Sequence, residues 1–185
     1  MNKDAIIKGY ITNLGKYNEG VLSYKLISFP ISDKELNEVL KEIGCMYIDE
    51  EGEEHNINYE EYFFSNWECN IPFYFDEYVS IDEVNEIAER VEALSDFEQD
   101  ILNTILEEHT GNIENALSIV ECGDYNLWDS CYNMADVAVA MAEEYGYLNN
   151  IPEPLKYYID YESWGRDIRA NGTFLEGENY ILELY

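Results

Sequence analysis

The chain has 185 residues, of which 40 are Asp or Glu and 10 are Lys or Arg, so its formal net charge at pH 7 is −30. Hydrophobic residues make up 46% and aromatic residues 15%, enough for a folded core, which excludes a disordered chain. No apolar run approaches the roughly 20 residues of a membrane helix, and the first residues lack the apolar stretch of a secretory signal. We therefore expect a cytoplasmic protein that binds neither membranes nor, because of its charge, nucleic acid.

The first third of the chain, residues 1–79, is predicted to be a mixed α+β domain. Residues 5–11 and 22–29 are strand candidates, with a loop around Gly15 and Gly20 between them. A helix follows that begins with a capping box and ends at a glycine. The residues that predict this helix are Ser32, Glu35, Leu36, Val39, Leu40, Ile43 and Gly44. A charged turn at 50–54 then separates short strands, the first at 47–48 and the second in the aromatic stretch that runs through Trp67.

Residues 80–122 are predicted to form an acidic helical domain. Ser80 and Glu83 form a capping box, and apolar residues then recur at helical spacing while carboxylates cover the opposite side. Ser95 begins a second helix with Phe97 in its buried stripe, together with Ile101, Leu102, Ile105 and Leu106. Thr110, Gly111 and Asn112 end it, and a third helix follows that carries Ile113, Ala116, Leu117 and Val120.

The last part, residues 123–185, is predicted to be a second α+β domain. Ser130 or Asp129 caps a helix that carries Met134 to Tyr145 and is closed by Gly146. A further helix is expected from Pro154 through Trp164. The dipeptide of Asn171 and Gly172 then predicts a hairpin between 168–170 and 173–175, and residues 180–185 predict a terminal strand.

No catalytic motif is present in the sequence. There is no nucleophile elbow, phosphate-binding loop or zinc-protease motif, and His55 and His109 stand in different predicted modules. The four cysteines are Cys45, Cys69, Cys122 and Cys131; they lack zinc-site spacing, and we interpret them as reduced and mostly buried thiols. We therefore expect neither an enzymatic activity, nor a metal, nor a cofactor.

The charge is concentrated in the middle of the chain. Residues 42–155 contain 29 acidic residues and a single basic one, Arg90, whereas six lysines lie in the first 41 positions. Like charges three or four residues apart on a helix cost a few tenths of a kcal/mol each, and a solvated helix face usually mixes Lys with Glu. Adaptation to high salt would not leave six lysines at one end. A specific basic partner explains the pattern better.

Duplex DNA is the polyanion that such a surface resembles in charge density. It carries one charge per roughly 1.7 Å of axis, so 30 excess carboxylates correspond to about 50 Å of duplex, and a symmetric dimer to about twice that. A protein of this kind could occupy the DNA groove of a nucleic-acid enzyme, and its binding would weaken with salt.

Three segments resemble the ArdA antirestriction family. They are residues 10–20 (YITNLGKYNEG), residues 71–81, which begin IPFYFDEY, and residues 155–167 (LKYYIDYESWGRD), which are similar to the family's antirestriction motif. Their order and spacing match across nearly the whole chain, which makes the resemblance more specific than any single short motif.

The resemblance implies an elongated protein of three small domains that dimerises through its C-terminal domain and mimics bent B-form DNA. It also implies that the partner is the methyltransferase core of a Type I restriction-modification enzyme, formed by the specificity and modification subunits. The protein would block restriction, and often modification, on behalf of an incoming mobile element.

By the same resemblance, fourteen carboxylates are candidates to stand in for phosphates: Asp76, Glu77, Asp82, Glu83, Glu86, Glu89, Glu92, Asp96, Glu98, Asp100, Glu107, Glu108, Glu143 and Glu144. A structural or dimer-interface role is expected for the antirestriction-motif residues Tyr158, Asp160, Tyr161, Trp164, Gly165, Arg166 and Asp167. Arg166 could pair with Asp160, pair with Asp167, or bridge subunits.

Two other hypotheses are open at this stage. An acidic chaperone or scavenger of a basic DNA-binding protein would have the same charge pattern. A metal-dependent acidic hydrolase is a more distant alternative, which requires one tight metal site and loss of activity on a single carboxylate change.

Overall fold

The computed structural model describes residues 5–48, 54–56, 61–108 and 112–185. Over these ranges the chain is α+β, as predicted, with eight helices, two three-stranded antiparallel sheets and a two-stranded antiparallel ribbon. It divides into two compact units, Met1–Ser95 and Asp96–Tyr185. Within the described ranges, no helix has both the length and the apolar character needed to cross a membrane.

The N-terminal unit is built on a sheet with the strand order β2-β1-β5. Strand β1 (Ile7–Asn13) lies in the middle, between β2 (Tyr24–Phe29) and β5 (Tyr62–Cys69). The two predicted strands are confirmed, although each begins two residues later than expected. Gly9 lies on the central strand beneath the rings of Trp67 and Phe64, where a Cβ atom would come within 3 Å of both rings. The glycine therefore lets aromatic side chains close over the sheet.

Three short elements complete the connections of this sheet. Helix α1 (Leu14–Asn18) replaces the predicted loop, because the Asn13 side chain accepts a hydrogen bond from the Lys16 backbone N–H and so caps a helical turn. Strands β3 (Met46–Ile48) and β4 (Glu54–Asn56) pair in an antiparallel ribbon. The charged turn predicted at 50–54 falls in residues 50–53 outside the described ranges, and Glu54 belongs to β4.

Helix α2 (Asp33–Ile43) is confirmed with both of its predicted ends. The Ser32 side chain accepts from the Glu35 backbone N–H, and the Glu35 carboxylate accepts from the Ser32 backbone N–H, which completes the capping box. Gly44 ends the helix in the left-handed conformation, with φ of 83°.

Helix α3 (Ile81–Ala93) closes the N-terminal unit and contacts β2. The Ser80 side chain accepts from the Glu83 backbone N–H, as predicted for an N-cap. The apolar stripe expected from the sequence is buried, namely Val84, Ile87, Ala88, Val91 and Leu94, and Ile81 is buried with it. The acidic positions of α3 consequently lie on its exposed side.

The C-terminal unit combines helices with the sheet β6-β8-β7. Its elements are α4 (Asp96–Glu108), α5 (Ile113–Cys122), β6 (Tyr125–Asp129), α6 (Met134–Glu144), α7 (Glu153–Lys156), α8 (Tyr161–Ala170), β7 (Thr173–Glu176) and β8 (Tyr180–Leu184). A buried cluster joins the sheet to α6 and consists of Trp128, Cys131, Met134, Val137, Phe174 and Ile181.

The first helices of this unit match their prediction with one exception. The expected residues of α4 and α5 are buried, but Phe97 is 49% exposed, where it contacts the ring of Tyr180 with 5.9 Å between centroids. Asn112 caps α5 by accepting from the Asn115 backbone N–H, while the predicted stop at Thr110 and Gly111 lies outside the described residues.

Several predictions for the last sixty residues are wrong. Strand β6 was not expected, and α6 is capped by Asn133 rather than by Ser130 or Asp129, because the Asn133 side chain accepts from two backbone N–H groups of the first turn. Tyr145 is the exposed residue that follows α6.

The helix expected from Pro154 through Trp164 is two helices, because Asp160 caps a new one. That second helix continues to Ala170, so the predicted strand 168–170 is helical and the hairpin is instead formed by β7 and β8. The predicted terminal strand is confirmed as β8, which pairs with both β6 and β7.

The predicted division into three domains, with boundaries at 79/80 and 122/123, stays a prediction, as does the elongated shape. The described residues divide instead between Ser95 and Asp96, inside the segment assigned to the acidic middle domain.

Candidate partner-binding surface

The outer face of α3 carries the densest group of candidate carboxylates. Five of them are exposed along this helix: Asp82, Glu83, Glu86, Glu89 and Glu92. They are exposed because the apolar stripe of the same helix is buried, so the 3.6-residue period separates the two sets of side chains. The α3 carboxylates therefore form one anionic face on the N-terminal unit, and Asp76 and Glu77 in the preceding loop are exposed as well.

The candidate carboxylates of α4 and α6 belong to the C-terminal unit. Asp96, Asp100, Glu107 and Glu108 on α4 are exposed, whereas Glu98 is half-buried. Glu143 and Glu144 are exposed at the end of α6. Thirteen of the fourteen predicted phosphate-mimicking side chains are thus on the surface, and they are distributed over both units.

Asp100 differs from the other candidates because it takes part in the packing of its own unit. Its carboxylate accepts a hydrogen bond from the Tyr180 hydroxyl at 2.9 Å, and that hydroxyl also lies 2.9 Å from the hydroxyl of buried Thr104. The pKa of Tyr180 is raised to about 12, and burial is the main cause. The bond with Thr104 lowers this pKa, whereas the hydrogen bond to Asp100 and the charge of Asp100 raise it. Asp100 therefore links α4 to β8, a role that its sequence position did not reveal.

The antirestriction motif, residues 155–167, covers the end of α7, a turn and most of α8. Asp160 is the N-cap of α8, and its carboxylate accepts from the Ser163 backbone N–H at 2.9 Å and from the Ser163 hydroxyl at 2.7 Å. These bonds to the backbone and side chain of Ser163 lower the pKa of Asp160. Arg166 donates to the same hydroxyl at 2.7 Å, so it is connected to Asp160 through Ser163. The polar residues of the motif thus stabilise the beginning of α8.

Gly165 is the buried residue of α8 and the point where that helix meets α6. A Cβ atom at this position would lie 2.4 Å from the carbonyl oxygen of Met134 and 2.9 Å from the backbone nitrogen of Ala135. Those atoms belong to the first turn of α6, so only a glycine allows the two helices to approach this closely. The glycine of the motif therefore has a packing role.

An aromatic group lies beside this helix contact. The ring of Trp164 is stacked near Tyr161, with 6.1 Å between centroids, and lies 6.0 Å from the ring of Tyr147. Tyr157 and Tyr158 are 88% and 85% exposed in the turn before α8, and Asp167 is exposed on that helix. The motif therefore presents aromatic surface as well as charge.

The described surface contains no arrangement suited to a metal ion, since no three His, Cys, Asp or Glu side chains of the described residues converge. The cysteines of these ranges are free, with Cys45 and Cys131 buried, Cys69 half-buried and Cys122 exposed. What the arrangement offers chemically is a set of exposed carboxylates held on short, capped helices. Such a surface can bind cationic side chains by long-range attraction and charge-assisted hydrogen bonds.

Comparison with family models places the chain among the antirestriction proteins. The model described as antirestriction protein (ArdA) matches residues 9–182, so the chain belongs to the ArdA family. The resemblance found in the three sequence segments is therefore confirmed over almost the entire chain. Family membership implies an interaction with restriction enzymes. A comparison with individually curated proteins gave no match.

Replacement of the motif glycine tests the packing role of the α6 and α8 contact. Gly165→Ala should lower the free energy of unfolding by about 1–3 kcal/mol, because the added methyl group overlaps backbone atoms of α6 and outweighs the higher helix propensity of alanine. Urea unfolding measures the change. Asp167→Ala, at an exposed position on the same helix, should change stability by less than about 0.5 kcal/mol. Equal effects of the two substitutions would contradict the packing role.

The hydroxyl of Tyr180 should ionise at a higher pH than that of an ordinary tyrosine, for which the pKa is about 10. Because the folded pKa is raised to about 12, the neutral phenol stabilises the fold fully below pH 10. This stabilisation is lost as the pH rises from about 10 to about 12. The difference in tyrosinate absorbance between the wild type and Tyr180→Phe should have a midpoint near 12. Asp100→Asn should lower this midpoint, and a wild-type midpoint near 10 would contradict the assignment.

Proposed function

We propose that this protein is a DNA mimic that binds the DNA groove of Type I restriction-modification enzymes and inhibits restriction, and also modification, by competing with DNA. The observation that carries the proposal is the exposure of thirteen of the fourteen candidate carboxylates on a chain that belongs to an antirestriction family. The biological result would be protection of an incoming mobile element in the cytoplasm. No catalytic step and no cofactor are part of this mechanism.

The α3 carboxylates are the central element of the proposed mechanism. Neighbouring acidic positions on a helix are about 5–6 Å apart, comparable to the spacing of phosphates along a DNA strand. A groove that binds DNA carries Lys and Arg side chains with condensed anions, and displacement of these anions favours binding at low salt. The α3 carboxylates can thus replace phosphates without any base contact, which fits inhibition that does not depend on DNA sequence.

In this proposal the antirestriction motif supports the fold and the assembly of the protein. Asp160, Ser163 and Arg166 stabilise the beginning of α8, and Gly165 joins α8 to α6. The exposed rings of Tyr157 and Tyr158 then offer apolar surface to a second copy of the chain. A homodimer formed in this way would double the number of carboxylates along the mimic.

A DNA competition assay with charge variants tests the mimicry. The wild type should displace a DNA duplex from a Type I methyltransferase at low salt, and its apparent affinity should fall steeply as salt is raised. Reversal of charge in Glu83→Lys, Glu86→Lys and Glu89→Lys combined should weaken competition roughly ten- to a hundred-fold, because three attractive contacts become repulsive. Neutralisation of the same three residues to Gln should reduce the logarithm of the affinity by about half as much as the charge reversal does.

The matched control removes three negative charges outside the candidate set. Glu38→Gln, Asp124→Asn and Glu178→Gln, all at exposed positions, should together weaken competition much less than the neutralised α3 variant. Failure of the wild type to displace DNA at low salt, even in excess, would disprove the proposal. Capture of histone-like proteins from a lysate without methyltransferase subunits would instead support the acidic chaperone or scavenger.

The dimer proposal has its own measurement. Light scattering should give twice the chain mass of 21.6 kDa for the wild type. It should give a mass closer to one chain for Tyr157→Ser combined with Tyr158→Ser, because this change removes aromatic surface that excludes water from a contact. A wild type that remains one chain at all concentrations would contradict the homodimer.

A further inference from the structure

One polar side chain of α3 is directed into the N-terminal unit. Asn85 accepts a hydrogen bond from the backbone N–H of Ile31 at 2.7 Å, and its amide donates to the backbone carbonyl of the same residue at 2.9 Å. Ile31 lies between the end of β2 and Ser32, the N-cap of α2. A single side chain on α3 thus holds both backbone groups of the residue that connects the sheet to the next helix.

The chemistry of this contact requires an amide. The carboxamide has a donor and an acceptor side by side, and both are used by Ile31, whereas a carboxylate can only accept. Asn85 is half-buried at the boundary between the apolar stripe and the exposed face of α3. It follows Asp82 by three residues and precedes Glu89 by four, so it shares a side of the helix with both. Among these acidic neighbours, position 85 carries no charge.

From this contact we infer that Asn85 is a positioning residue for the α3 carboxylates. Apolar contacts along the buried stripe are not directional, so they leave α3 some freedom to rotate about its axis and to slide. The two hydrogen bonds with Ile31 are directional, so they restrict both the rotation and the sliding of α3. The inference rests on the proposed function, because a face that mimics phosphates must hold its charges in register with the cations of the groove.

Two substitutions separate positioning from charge. Asn85→Asp keeps the size of the side chain and adds a negative charge, so a mimic that depended on charge number alone would bind equally well or better. Positioning predicts the opposite, because the new carboxylate cannot donate to Ile31 and would face its carbonyl oxygen. Asn85→Leu removes both hydrogen bonds without adding charge. Both variants should compete with DNA roughly tenfold less well, because carboxylates that are out of register make fewer contacts with the cations of the groove.

The salt dependence distinguishes positioning from a loss of folded protein. Because salt screens the repulsion within a chain of net charge −30, the folded fraction of a variant can itself change with salt. The folded, active fraction is therefore measured by circular dichroism at every salt concentration, and each affinity is calculated for the folded protein. Carboxylates that no longer align with the groove form fewer contacts, so the plot of log affinity against log salt becomes shallower. We expect a full active fraction and a shallower slope for Asn85→Asp and Asn85→Leu.

The control is Asn115→Asp, which adds the same charge at an exposed position of α5. It should not weaken competition, and its slope should match that of the wild type. If Asn85→Leu binds with the affinity and slope of the wild type, or if both Asn85 variants lose only active fraction, the positioning role is disproved while the mimicry stands. If the wild type itself does not compete, the proposed function and this inference are both overturned.

Discussion

Mutual repulsion among carboxylates is the constraint that the rest of this structure must satisfy. A chain with a net charge of −30 gains little from surface ion pairs, since its middle section contains one basic residue for 29 acidic ones. Its stability must come from burial of apolar surface, which does not depend on charge. The short amphipathic helices meet this requirement, because each buries a continuous apolar stripe and leaves its carboxylates in water.

Helix capping is the second means by which the fold tolerates this charge. Five of the described helices have an acidic residue in the first turn and begin with a Ser, Asn or Asp side chain that accepts a backbone N–H. These N-caps are Ser32, Ser80, Asn112, Asn133 and Asp160. Carboxylates of the first turn, such as Asp82 and Glu83, also lie near the positive end of the helix dipole and offset part of their repulsion. Negative charge is thus placed where the backbone favours it.

Periodicity and capping residues allowed much of this fold to be predicted from the sequence. Helices α2 and α3 were identified because their apolar stripes and start signals agree, and α5 was identified from its apolar stripe. The last sixty residues were harder. Asn171 and Gly172 are a strong hairpin signal, yet Asn171 ends α8, because the apolar face of that helix packs on α6. Strand β6 was missed since its partner, β8, is more than fifty residues away and short-range patterns carry no information about such pairs.

The candidate surface shows the same division between local and distant information. Exposure of the carboxylates follows from helix periodicity, so Asp82, Glu86 and Glu89 could be placed on an outer face from the sequence. The links of Asp100 to Tyr180 and of Asn85 to Ile31 could not, because each joins residues 54 or more positions apart. Family resemblance identified the motif around Gly165 but not its physical role, which depends on the backbone of α6.

The position of β8 in the middle of its sheet has a consequence for biosynthesis. Among the residues that the structure describes, β6 pairs with β8 alone, so this pairing cannot form until residues 180–184 have left the ribosome. Until then Trp128, which is buried in the finished unit, remains accessible on the nascent chain together with the apolar residues of α6. Repulsion between nascent chains of such high charge would then keep these exposed segments from associating, so the acidity that we propose for recognition would also protect a unit that completes late.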